Sequence, residues 1–300
     1  MQATRRRNHG SERRARRAAA VWILLSMSVA TMACQASSAR GSRGTEEGTG
    51  LRLVHVANAG VLVTTASSSI LFDALFHEPN PHYAAPTQET LRAMVAGAAP
   101  FDGIDLVLVT HMHPDHFDAG DVDRFMVKNP QAALVAPADA VEDLQASAPG
   151  WSSYEDRVIS LDLRPGEKAT RTVGDIRVTA VRTLHSGALQ TPMNLMYLVE
   201  MDGEVVFHEG DSNASLRPFE TIVEDRPPID LALVHYWFPF ARAGRSALEI
   251  LQPGFIGLVH YPIQDPDISV AALRALRAPY VLLEEAGEAH SVPAREKEGG

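Results

Sequence analysis

Residues 104–118 read Ile-Asp-Leu-Val-Leu-Val-Thr-His-Met-His-Pro-Asp-His-Phe-Asp, an apolar run from Ile104 to Val109 that leads straight into three imidazoles and two carboxylates. That density is a metal signal, because zinc and similar ions take imidazole nitrogen and carboxylate oxygen. His111 and His113, two apart in extended backbone, project to the same side. Pro114 bars a regular helix across the start of the motif and lets Asp115 and His116 swing round from the other side. Two groups of ligands imply two metals. The competing explanation is a polar loop rich in His by accident, and the His-x-His-x-Asp-His order directly after a buried strand argues against it.

Working outward, Leu51–Val56, Val61–Thr65 and Ser69–Phe72 are short β-rich runs separated by Asn58-Ala59-Gly60 and Ala66-Ser67-Ser68, an opening meander. Asp73 ends its third strand, either as a turn residue or as the support of a metal ligand. Pro86–Ala98 has helical spacing. Beyond the motif, a helix over Ala119–Lys128, a strand over Ala132–Ala136 and a helix over Ala138–Ala146 alternate as in sheets covered by helices. The pattern then turns β-rich, with strands over Val158–Leu161, Ala169–Val173 and Ile176–Thr183. Met196–Met201 and Glu204–His208 flank Asp202-Gly203, the strongest hairpin signal in the chain.

Three later strand ends echo the motif. Glu204–His208 leads into Glu209-Gly210-Asp211, Ile229–Val234 into His235-Tyr236-Trp237-Phe238, and Phe255–Val259 into His260-Tyr261-Pro262. Polar groups at strand ends are where open α/β sheets build their sites. A helix over Ile268–Arg277, a strand over Tyr280–Leu283 and a polar sequence from Ala289 complete the chain, with no internal repeat at fixed period.

The ends of the chain differ from its middle. Seven Arg precede an apolar stretch from about Ala18 to Ala33, which is too short and too rich in Ser and Thr for a membrane span and reads as a bacterial export signal. Cys34, the only cysteine, follows Thr31-Met32-Ala33, similar to the site at which lipoprotein signals are cut and the new N-terminal Cys is acylated. Thr31 departs from the branched apolar residue usual there, and ordinary cleavage later, for example after Ala39, or a retained anchor helix are the alternatives. The expected organisation is a signal of lipoprotein type over 1–34, a flexible linker over 35–50, one folded domain over 51–290 and a polar tail over 291–300. The expected place is the cell envelope, periplasmic or anchored at Cys34, which is the one expected membrane contact.

With no cysteine after Cys34, the folded domain has no thiolate ligand, so its metals must be held by His and carboxylate. Beyond residue 34 the chain holds 20 basic against 36 acidic side chains. Such a surface repels phosphate backbones, and nucleic acid is not an expected partner.

Five histidines fall at strand ends beside small or acidic residues: His111, His113, His116, His185 and His260. With Asp115 and Asp211 the order is H-x-H-x-D-H, a His 69 residues on, an Asp 26 later and a His 49 after that. This resembles the metallo-β-lactamase superfamily of metal-dependent hydrolases, over roughly Leu51 to Glu288. The resemblance implies an α/β fold, the αβ/βα four-layer sandwich. It implies that His111, His113 and His185 hold one metal, that Asp115, His116 and His260 hold the other, and that Asp211 bridges them. Asp73 matches the strand-end Asp that supports the ligands without binding metal.

True β-lactamases of the superfamily lack the bridging Asp, and their best-known subclass uses a Cys ligand, so antibiotic hydrolysis is disfavoured here. The diiron electron-transfer relatives carry an acidic residue where His116 stands. What remains resembles the hydrolytic branch with a full dinuclear site. Its lactonase-like members commonly have Gly-His-Ala where this chain has Ala57-Asn58-Ala59. The expected chemistry is attack by a hydroxide shared between two divalent ions, zinc first with manganese or iron as alternatives, on a small ester, lactone, thioester or phosphodiester. Asp115 and Asp211 are the expected catalytic carboxylates. His235, Tyr236, Trp237 and Phe238 are candidates to wall the pocket, against an aromatic cluster packed under a loop; His235 is also a candidate to protonate a leaving group, and Tyr261 a candidate for substrate contact. His208 is expected to be buried and hydrogen-bonded, and His55, His77, His82 and His290 carry no expected role. The alternatives are a phosphodiesterase specifically, or a non-catalytic metal-binding envelope lipoprotein.

Overall fold

The computed structural model describes residues 50–78, 81–187, 192–263, 270–277 and 279–293. The expected signal, nearly all of the linker and the end of the tail lie outside the described residues. Strands β1 (Arg52–Ala57), β2 (Gly60–Thr64) and β3 (Ser69–Phe72) form the antiparallel meander. Helix α1 (Gln88–Ala96) follows, started by the Thr87 side chain on the Thr90 amide and stopped by Gly97 in the left-handed conformation. β4 (Leu106–Leu108), α2 (Ala119–Lys128), β5 (Ala133–Pro137), α3 (Ala138–Ser147) and β6 (Val158–Leu161) extend the sheet with parallel strands. β4 is shorter than its apolar run, although the Val109 amide still bonds to the Val135 carbonyl at 3.1 Å.

The second sheet begins with antiparallel β7 (Lys168–Val173), β8 (Ile176–Thr183), β9 (Asn194–Met201) and β10 (Glu204–His208). After α4 (Leu216–Ile222) it continues in parallel with β11 (Leu231–His235), α5 (Arg242–Leu251), β12 (Phe255–Val259), α6 (Val270–Arg274) and β13 (Tyr280–Leu282). Two of these elements, α4 and α5, have no counterpart in the sequence expectation. Nor is the chain's end simply a polar tail: β14 (Ala289–Ser291) pairs antiparallel with β1, and Val292 is buried in the core. The strand orders are β14-β1-β2-β3-β4-β5-β6 and β13-β12-β11-β10-β9-β8-β7.

Side chains alternate between layers with the period of two that strands impose. Val61 and Val63 of β2 join Leu195, Tyr197 and Val199 of β9 in one apolar cluster fed by both sheets. Leu62, from the opposite face of β2, packs with Leu91, Val122, Phe125 and Leu144 of α1 to α3. On the other sheet Met196 and Leu198 pack with Phe219, Ile222 and Leu251 of α4 and α5. The result is the expected αβ/βα four-layer sandwich. Each fully buried Leu, Val or Phe contributes about 1.5–3 kcal/mol relative to exposure, so the polar strand ends stand on a firm apolar base. The hairpin at Asp202-Gly203 has φ of 51° and 81°, and the Asp202 carboxylate accepts the hydroxyls of Thr65 and Ser67 across from the β2–β3 turn.

Candidate metal centre

Parallel strands of both sheets end at one place. The end of β3 brings Asp73, the end of β4 brings residues 110–116, and the ends of β10, β11 and β12 bring Asp211, His235 and His260. The loop after β4 is held at its far side by Asp118, whose carboxylate caps α2 by accepting the Asp121 amide at 2.8 Å. Hydrogen bonds stitch the sheets together here: Leu195 N–H to the Thr110 carbonyl at 2.9 Å and Tyr197 Oη–H to the Val109 carbonyl at 2.8 Å.

The ligand atoms fall into two sets. In one, His111 Nε2 lies 3.1 Å from His113 Nδ1 and 3.3 Å from His185 Nε2. Asp211 Oδ2 is 3.3 Å from His185 Nε2 and 3.8 Å from His111 Nε2. In the other set, His260 Nε2 lies 3.1 Å from His116 Nε2 and 3.5 Å from Asp115 Oδ2. Asp211 faces this set as well, Oδ2 at 3.3 Å from His260 and Oδ1 at 3.3 Å from His116. Donors around a tetrahedral ion with bonds of about 2.0–2.1 Å stand roughly 3.3–3.4 Å apart, so both sets fit a divalent ion. Asp211 Oδ1 is buried without a hydrogen-bond partner, a costly state that a cation would relieve.

The surrounding groups fix which ring nitrogen points inward. Asp73 accepts the Thr110 amide at 2.7 Å, the Thr110 hydroxyl at 2.5 Å and His116 Nδ1–H at 2.9 Å, which leaves His116 Nε2 for the site. Thr110 Oγ1 in turn takes His111 Nδ1 at 3.0 Å, and the Ser186 carbonyl takes His185 Nδ1 at 2.5 Å. Asn58, at the place where the lactonase-like branch has His, donates Nδ2–H to the Asp115 carbonyl at 3.0 Å and to Asp115 Oδ2 at 3.2 Å. Asn194 Oδ1 receives the Asp211 amide at 3.0 Å. A Cβ on Gly210, whose φ is +60°, would meet that same Asn194 oxygen at 2.6 Å and Thr110 Cβ at 2.9 Å, so only glycine allows the two sheets to approach here. Asn58, Asp73 and His260 also have positive φ, of 50°, 40° and 57°. Left-handed non-glycine residues cost about 1–3 kcal/mol each, and three of the seven among the described residues lie at this site.

Without a metal, burial and the buried carboxylates push the ligand rings in opposite directions. Burial holds His111 well below the usual imidazole range, with His116 adding to the effect, so its ring is neutral. Burial opposes protonation of His116, but the nearby Asp211 charge and the hydrogen bond that His116 Nδ1–H donates to Asp73 lift it well above that range. Asp115 loses solvation, yet the His260 hydrogen bond and the His116 charge lower it to about 2.

His235 belongs to the site, although the sequence offered packing under a loop as a rival. Its Nε2 lies 3.6 Å from Asp211 Oδ1, and its ring stacks on His260 with centroids 4.5 Å apart. Glu209 Oε1 receives both its backbone N–H at 2.6 Å and its Nδ1–H at 2.8 Å. Burial and then His260 lower His235 to about 3, while burial keeps Glu209 well above the carboxylate range, so this contact joins two neutral groups. An open cavity of about 430 Å³ lies over the donors, a size suited to a small ligand. Tyr236 and Trp237 line it together with Tyr83 and Ser186, which carried no sequence signal. Tyr261 does not line it; its ring stands edge-on to Tyr236 with centroids 6.0 Å apart, and Phe238 is buried in the outer core. His208 is buried, with Nε2 3.1 Å from the Ala59 carbonyl and Nδ1 accepting the Gly210 amide. His55 bonds to the carbonyls of Asn58 and Glu285, and His77 pairs with Asp121 at 2.6 Å.

Fold and donor set together define a class, and the chain belongs to it: the domain described as beta-lactamase superfamily domain matches residues 68–283. Among curated relatives, a UPF0173 metal-dependent hydrolase of Pyrococcus furiosus is 29% identical over 177 residues, covering 57% of this chain and 74% of the relative. One from Pyrococcus horikoshii is 28% identical over 204 residues, covering 67% and 80%. Among solved structures, the metallo hydrolase Igni18 of Ignicoccus hospitalis superposes with a TM-score of 0.55 at 17% identity, covering 82% of this chain and all of that one. That likeness speaks for the fold.

Proposed function

We propose that this protein is a metal-dependent hydrolase that holds two divalent ions, zinc in the first place, and cleaves a small ester, lactone, thioester or phosphodiester. One observation carries the proposal: seven ionisable side chains from two sheets converge as two donor sets that share Asp211. His111, His113 and His185 would hold one ion, Asp115, His116 and His260 the other, and Asp211 would face both. Ions held there supply an activated water and polarise the oxygen of the bond under attack.

The chain's own residues do the rest. Asp73, Thr110 and the Ser186 carbonyl hold the His116, His111 and His185 rings with their other nitrogen aimed at the site. Asn58 and Asn194 hold the two carboxylates in place. His235 is neutral at pH 7, so it is first a proton acceptor at Nε2; it can return that proton to a leaving group, but it has none to give at the outset. Residues 1–34 support export, with acylation at Cys34 as the form proposed; the mass of the mature N-terminus tests it. Protein lacking residues 1–34, loaded with zinc and offered a lactone, a thioester and a phosphodiester, should turn over at least one. Full loading with two ions and turnover of none would overturn the hydrolase assignment and leave a metal-binding envelope protein.

A further inference from the structure

Resting on the hydrolase assignment, we infer that the substrate is an uncharged carboxylic ester or lactone whose apolar or aromatic group lies against Tyr83, Tyr236 and Trp237, rather than a phosphodiester or a carboxylate-bearing ester. Among the described residues that line the cavity there is no Lys or Arg; its fixed charges outside the imidazoles are Asp115 and Asp211. A phosphodiester keeps an anionic group throughout the reaction, and enzymes that bind such groups meet it with Arg or Lys as well as metal. A neutral ester develops its one negative oxygen only at the bond under attack, where the donor sets would hold a cation. The acidic surface acts in the same direction, since it lowers the local concentration of anions and spares neutral molecules.

The apolar half of the argument is positive. Tyr83 stands edge-on to His260 with ring centroids 4.1 Å apart, and Trp237 lies 5.9 Å from His235, so aromatic surface reaches the ligands themselves. In the reaction, the oxygen of water bonds to the carbonyl carbon, the carbon–oxygen bond to the alcohol breaks, and the alcohol leaves with a proton. An ester then yields acid and alcohol, and a lactone a hydroxy acid.

Zinc-loaded protein should be given phenyl butyrate, its anionic counterpart monophenyl succinate, and bis(p-nitrophenyl) phosphate. We expect kcat/KM for phenyl butyrate to exceed the other two by about tenfold or more. Trp237→Ala should raise KM for phenyl butyrate by about 2–10-fold with two zinc ions still bound, and Tyr236→Ala serves if that variant does not fold. Binding has its own readout: the amide butyranilide should quench tryptophan fluorescence of wild type and not of Trp237→Phe, and the acidic anilide of succinate should bind more weakly. Preference for the phosphodiester or the succinate ester overturns this inference and leaves the hydrolase assignment standing. Turnover of none of the three by fully loaded protein overturns this inference, and the hydrolase assignment falls with it only when the lactone and the thioester are left intact as well.

Discussion

The loop after β4 and the strand ends of the second sheet supply the same site in different ways. The loop carries His111, His113, Asp115 and His116 within six residues and feeds both donor sets. The second sheet contributes His185, Asp211 and His260 from three separate strand ends, one side chain each. Local sequence can build the first arrangement, but the second exists only while the parallel strands lie side by side and the two sheets are in contact. Asp211 is where the two arrangements meet, with one oxygen near His116 and the other near His185 and His260.

The comparison can be broken at that point. Asp211→Ala should lower turnover on the order of 10³-fold or more and reduce bound zinc below two per chain, as read by elemental analysis. A fully loaded and active variant would separate the two halves of the site. Asp73→Ala tests how far the loop depends on its neighbour strand. It frees His116 Nδ1 and both Thr110 donors, and should weaken metal affinity or activity by about 10–100-fold in a chelator competition.

Proton competition sharpens the comparison. His116 and His260 both titrate above the ordinary imidazole value in the absence of metal: burial lowers each, and the Asp211 charge more than restores it. An ion binds only neutral rings, so loading must displace these protons, and zinc affinity should rise with pH until the raised values are passed. The expected slope is about tenfold per pH unit for each ring still protonated, and an affinity flat from pH 5.5 to 8 would contradict it. The smallest effect is expected at Asn58. Asn58→Ala removes two hydrogen bonds to Asp115 and should cost about 3–10-fold in kcat/KM with two zinc ions retained.

Much of the fold was legible because its signals are local. The meander, the helix over Ala119–Lys128 and the Asp202-Gly203 hairpin each follow from alternation, capping or turn chemistry within a few residues. The strand β14 was missed for the opposite reason, whereas α5 went unread although Gly244, Ala247 and Leu251 recur at helical spacing on its buried side. β14 is three residues long and polar, and it is a strand because β1 offers an unpaired edge. Within the site, the ligand-type residues announced themselves by composition. The partners that aim them did not: nothing local ties Asn58 to Asp115 or Glu209 to His235, which stand 57 and 26 residues apart. Tyr83 and Ser186 reach the cavity without any pattern that marks them, while Tyr261, beside a ligand, turns away from it.

The sequence by itself determined that four metal donors would share one loop, that no thiolate could join them and that the surface would be acidic, since these follow from which residues stand next to one another and how many there are. Only the tertiary structure decided that Asp211 serves both sets, that His235 is held neutral by its burial beside His260 and that the cavity is aromatic and free of cationic side chains among the described residues. Those depend on distances between groups far apart in the chain, which are set by the packing of two sheets at Gly210 and Thr110.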